Sequence, residues 1–240
     1  MVKRENFSIM SWSMAVPLCE DVWLGMQLRN IAIVDLVVLR NIEQQAVQSY
    51  FEHDRVDRNT LMLLSATSQM WVFSLYEFMR TWRSKAKHIL KTAAEYETVA
   101  PRKKAKFLQQ ILENSDGKHK FVRIAPNFYH EQLSKINDPA FVASVQKYYD
   151  DTAGLFGEVS ILRVALAKHE VEGKPGFAAE APGYGRMSYW TGSLYWHLNN
   201  KEGYQERVER VELANAFLGI DPDITDEERY GDTESDESQS

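Results

Sequence analysis

Residues 57 to 83, DRNTLMLLSATSQMWVFSLYEFMRTWR, limit the fold more than any other stretch, because their apolar residues recur at helical spacing over many turns. At 100° per residue, Leu64, Trp71, Leu75, Phe78, Met79 and Trp82 fall on one wide face, while Ser65, Gln69, Tyr76, Glu77 and Arg80 lie on another. The spacing predicts a long core helix. An unsatisfied buried polar group costs about 1 to 3 kcal/mol, so polar groups carried against a core need partners. Glu77 and Arg80 are therefore expected to bond to each other or to neighbouring helices as an internal ion pair, with Gln69 beside them as a supporting polar site.

At 240 residues and 44% hydrophobic, the chain can bury a full core without staples. The single Cys19 cannot form an internal disulfide, and no Cys/His cluster has zinc spacing. No metal or other cofactor is expected, and a reducing, cytoplasmic setting is the default. The apolar runs are too short for a membrane span, and residues 1 to 20 lack the continuous hydrophobic region of a secretory signal. The net charge of −6 conceals a division: residues 221 to 240 sum to −8, while residues 80 to 135 sum to +8. A basic segment of this kind attracts phosphate backbones, and an acidic tail can compete for it.

Apolar spacing from 24 to 51 predicts the first core helix, and a second begins after Asp57 or Asn59, either of which can cap it, and runs past Trp82. Pro101 suits the first turn of a third helix ending near Ser115–Gly117, with Arg102, Lys103, Lys104 and Lys106 on its basic half. Residues 116 to 137 read as an ordered loop. Asp138 and Pro139 start a fourth helix reaching His169, which Gly154 and Gly157 can bend. Beyond Gly173 a Gly/Pro-rich loop precedes RMSYW and SLYWHL, which alternate as a β-hairpin; QERVERV can add a strand before a short helix that ends at Gly219. The fold class is mainly α: a four-helix bundle over 24–172, a β-hairpin appendage over 173–220, an N-terminal segment over 1–23 and a disordered acidic tail over 221–240.

No phosphate-binding Gly loop and no GxSxG elbow is present, and no helix carries the Glu-x-x-His of carboxylate metal sites. Glu20 beside Cys19 disfavours a thiolate, so this cysteine reads as structural. The segment RVALAKHE places Arg163 six residues before His169 at the end of the fourth helix, and this resembles the arginine, four to six residues, histidine signature of the HEPN superfamily of helical bundles. The resemblance would cover residues 24 to 172. It implies metal-independent RNA cleavage in toxin or defence systems, commonly across a homodimer interface, with His169 as general acid or base and Arg163 stabilising phosphorane charge. The same spacing occurs at Arg83 with His88 and at Arg123 with His130, and Val164 stands where active members often carry a polar residue. On an ideal helix Arg163 and His169 are about 240° apart, so convergence requires a bend or a helix end.

Two partner classes follow. RNA would meet Arg102, Lys103, Lys104, Lys106 and Arg186, with Tyr189, Trp190, Tyr195 and Trp196 available to stack bases. Alternatively, the chain is a non-catalytic interaction module with a structural polar core, using the bundle or the aromatic hairpin to bind a second copy or another protein.

Overall fold

Three aspartates set where the helices begin. Asp21 accepts hydrogen bonds from the Trp23 and Leu24 amides, Asp57 from those of Asn59 and Thr60, and Asp138 from that of Ala140 with Pro139 following. The computed structural model describes residues 2–118, 128–171, 173–178, 185–199 and 205–221. In chain order the helices are α1 (Ile9–Ala15), α2 (Val22–Ile33), a π turn (Val34–Leu39), α3 (Arg40–His53), α4 (Arg58–Thr98), α5 (Pro101–Lys118), α6 (Phe128–Ser134), α7 (Pro139–Asp151), α8 (Ala153–Lys168) and α9 (Arg210–Leu218). The strands are β1 (Glu170–Val171), β2 (Lys174–Ala178), β3 (Arg186–Met187), β4 (Leu194–Asn199) and β5 (Gln205–Glu209). The chain is mainly helical with a small three-stranded antiparallel sheet of order β3-β4-β5, and β1 pairs with β2 separately.

Two compact units interleave along the sequence, where the sequence reading drew four consecutive segments. The first gathers Met1–Ile9, Asn30–Tyr76 and Leu155–Ser240; the second gathers Met10–Arg29 and Glu77–Gly154. In the first unit Leu64, Trp71, Leu75, Leu162 and Phe217 are buried, and the Trp71 indole donates to the Ile31 carbonyl at 3.0 Å. Val2 and Ile220 form a bridge that ties the N-terminus to the end of α9. In the second unit Leu18, Leu28, Phe78, Trp82, Ile89 and Leu133 are buried. There the Trp82 indole donates to the Pro17 carbonyl at 2.7 Å, and Arg83 lies on the Tyr149 ring while donating to the Tyr149 carbonyl.

Several expectations need amendment. The helix expected over 24–51 contains the π turn, and α5 runs past the turn placed at Ser115–Gly117. The supposed loop holds α6, and the N-terminal segment holds α1, both too short to announce themselves by periodicity. The fourth helix breaks at Thr152, whose hydroxyl donates to Tyr148 and accepts from Arg83, so the interruption comes before Gly154 rather than at it. Although Arg29 and Asp35 break its apolar runs, the helix from Val22 to His53 is long and apolar enough by length and composition to cross a membrane. Its Asp35 is buried within the first unit. The acidic tail beyond Asp221, with Lys120 and Arg123, lies outside the described residues.

Candidate functional site

The residues nominated from the sequence occupy separate environments. Arg163 is half-buried in the first unit, with its guanidinium carbon 5.1 Å from the centre of the Tyr76 ring, a packing position. His169 is exposed just past α8, in the left-handed region at φ 56°, its amide donating to the Ala165 carbonyl. The helix therefore ends at Lys168, just before His169. Gln69 is half-buried. Glu77 and Arg80 do bond to each other, at 2.7 and 2.9 Å, but their side chains are 46% and 55% exposed, so the expected internal pair is a surface i,i+3 pair. It contributes at most about 1 kcal/mol. On α5, Arg102, Lys103 and Lys106 are exposed, whereas Lys104 is paired with Glu97 at 3.0 Å and sits 4.4 Å from the centre of the Tyr96 ring.

The strongest electrostatic feature was not anticipated. Asp35, Arg40, Glu43 and Arg210 meet in the interior of the first unit, all buried. Arg210 grips Glu43 through two bonds of 2.8 Å and also bonds Asp35; Arg40 bonds Asp35 at 3.0 Å and donates to the Asn215 amide oxygen at 2.6 Å. On an ideal α-helix Asp35 and Arg40 would lie about 140° apart. The π turn, in which the Arg40 amide reaches the Asp35 carbonyl, lets them share a side. Burial alone would pull the Arg210 guanidinium down, but Glu43 and Asp35 outweigh it and hold its pKa above the ordinary value. Two acids face two bases with no excess charge, so the network is a structural anchor.

That anchor fixes an open cleft. Glu209, at the end of β5 and fully buried, is bonded by Thr191 and by Arg207 at 2.7 Å. The turn from Ser188 to Ser193 is pinned at Gly192, which has φ 71° and packs so close to the Glu43 carbonyl that a side chain would collide with it. The turn lifts Tyr189 to within 4.5 Å of the Tyr50 ring on α3, measured between centroids. Along β4 the alternation is clean: Leu194, Trp196 and Leu198 are buried, while Tyr195 faces outward under Arg207, 4.2 Å from its ring. Trp196, nominated as a stacking residue, is therefore core; Tyr189 and Trp190 are 55% and 57% exposed.

Tyr50, Arg55, Ser65, Arg186, Tyr189 and Tyr195 thus line a cleft of about 590 Å³. Arg186 pairs in register with Tyr195 across β3 and β4. Arg55 and Arg186 form no ion pair with any described residue. No protein-family model matches the chain, and no curated protein or solved structure resembles it significantly. Two guanidinia that form no ion pair with a described residue, beside three phenol rings, can bind phosphate while an aromatic base lies on a ring face. Among the described residues no cluster of three metal-ligating side chains exists. Cys19 is buried, and burial with Glu20 and Asp21 pushes its thiol up to about 12, which leaves it inert as a nucleophile.

Proposed function

We propose that the chain binds single-stranded RNA, with the cleft between Tyr50, Arg55, Arg186, Tyr189 and Tyr195 as the site where an unpaired base stacks. The observation that carries this reading is the pair of arginines without ionic partners among the described residues, set beside aromatic faces in a cleft of nucleotide size. Arg102, Lys103 and Lys106 add general attraction for phosphate. The four-helix bundle belongs to the same proposal, and the mainly helical content speaks for it.

Fluorescence anisotropy with a labelled single-stranded RNA and its duplex tests the reading. Tyr189→Ala should weaken single-strand binding by roughly 5- to 150-fold, the equivalent of ~1–3 kcal/mol for one stacked base. Arg55→Ala and Arg186→Ala should each reduce the salt slope by about one phosphate contact. Equal affinity for duplex, or indifference to all three substitutions, refutes it. The HEPN resemblance would extend the proposal to cleavage in a defence or toxin system through Arg163 and His169. The Arg163 contact with Tyr76 and the outward position of His169 give cleavage less support than binding. EDTA-resistant cleavage of end-labelled RNA that His169→Ala abolishes would establish it.

A further inference from the structure

Behind the wall of the cleft a buried hydrogen-bond donor has no acceptor. Trp196 on β4 is 2% exposed, and its indole Nε1 bonds to nothing among the described residues. Trp71 and Trp82, also buried, each donate to a backbone carbonyl. A buried N–H left unpaired is costly and calls for a cause. The register of β3 on β4, Arg186 with Tyr195 and Met187 with Leu194, sets Gly185 opposite Trp196. A Cβ on Gly185 would lie 3.1 Å from the Trp196 Nε1 and 3.0 Å from the Leu194 Cδ1. Gly185 and Leu194 both line the cleft. Gly185 is not among the residues of positive φ, so its conformation does not demand a glycine. What the missing side chain provides is a notch beside the indole N–H, where another group can approach closely.

Resting on the proposed binding of single-stranded RNA, we infer that this notch selects the base: it admits an exocyclic carbonyl oxygen to the Trp196 N–H and disfavours adenine. An indole N–H only donates, so its partner must be an acceptor. Uracil, cytosine and guanine carry carbonyl oxygens that project beyond the ring and can enter a narrow notch. The acceptors of adenine are nitrogens within the ring outline, and its projecting group is an amino donor. Adenine would therefore set donor against donor and leave the N–H unpaired. The indole is held in advance, because Trp196 is buried and its backbone is paired with Val208 on β5. Gly185 is less constrained: β3 is an edge strand of two residues, and Gly185 precedes it. A small outward shift of Gly185 opens the way to Nε1.

Fluorescence anisotropy of the full chain with labelled oligouridylate and oligoadenylate of equal length tests this, using wild type, Trp196→Phe, Gly185→Ala and Tyr189→Ala. The readout is each protein's uridylate-to-adenylate affinity ratio relative to wild type, in which self-stacking of the free oligoadenylate cancels. Trp196→Phe removes the donor and keeps an aromatic ring in the core, whereas Gly185→Ala fills the notch and keeps the donor. Each should lower the ratio roughly tenfold, the worth of one hydrogen bond to a buried donor, with oligoadenylate binding held within about twofold. Gly185→Ala decides the matter if Trp196→Phe loses its fold by circular dichroism. A ratio that neither substitution moves overturns the inference. So does an equal loss for both oligomers, which would set the N–H against the RNA backbone instead. Tyr189→Ala should weaken both oligomers alike: if it does while the ratio stays fixed in the other variants, base selection fails and stacking stands. If wild type binds neither oligomer, both readings fall.

Discussion

Replacing Arg210 with Met should destabilise the first unit by more than any surface substitution can. Arg210 is fully buried, and its loss removes both 2.8 Å bonds to Glu43 and the bond to Asp35. Asp35 keeps Arg40 at 3.0 Å, but Glu43 is bound by no other cation among the described residues, so the cost falls on one buried, unpaired carboxylate. Breaking a buried pair from one side costs ~3–5 kcal/mol. In a chain of this length that corresponds to a fall in melting temperature of roughly 6–20 °C, read by circular dichroism on the transition of the first unit. The double variant Arg210→Met with Glu43→Leu separates charge from packing. It leaves the Asp35–Arg40 pair neutral and should recover much of the loss, since a pair replaced as a whole by apolar groups is often nearly neutral. A single variant that loses under 1 kcal/mol, or a double variant no better than the single, would refute the network as the anchor.

Gly192→Ala forces a side chain at φ 71° against the Glu43 carbonyl and should cost ~2–5 kcal/mol in urea unfolding, while also weakening RNA binding by displacing Tyr189. Glu158 provides a pH test: partial burial, then Glu206 and Glu212, raise its folded pKa. The folded state then holds more proton than the unfolded one between the ordinary carboxylate value and the raised value, so stability falls as pH rises through that window. Glu158→Gln should flatten this decline and raise stability at neutral pH by less than about 1 kcal/mol, measured as melting temperature across pH. Truncation after Asp221 should strengthen RNA binding at low salt and steepen its salt dependence; unchanged binding would dismiss the tail as a competitor.

The helices were legible where periodicity was long and a cap was present. Asp57 and Asp138 mark the starts of α4 and α7 as the sequence suggested, and Gly219 ends α9. The alternation of SLYWHL was legible too, down to which aromatics would turn inward being left open. Harder to read were α1 and α6, each about two turns, for which a periodic signal barely accumulates. The site was split in the same way. Arg186, Tyr189 and Tyr195 lie near one another in sequence and were nominated, whereas Tyr50 and Arg55 reach the cleft only through tertiary packing. The one available signal for the ion network was Asp35 and Arg40 flanking the apolar run Leu36–Leu39, and Arg210, a long way off in sequence, gave no hint of being their partner.

Glu77 and Arg80 show why that signal was misplaced. They sit on the most periodic helix, where a polar face is conspicuous, yet an i,i+3 pair on a helix surface needs nothing beyond its own helix. Asp35 and Arg40 bound an apolar run and Glu43 follows one turn on, and burying these three charges is tolerable only when a fourth arrives to balance them. The demand for balance is thus the better guide to tertiary structure. A base at an element boundary, such as Arg210 where β5 passes into α9, is where such a partner can be sought.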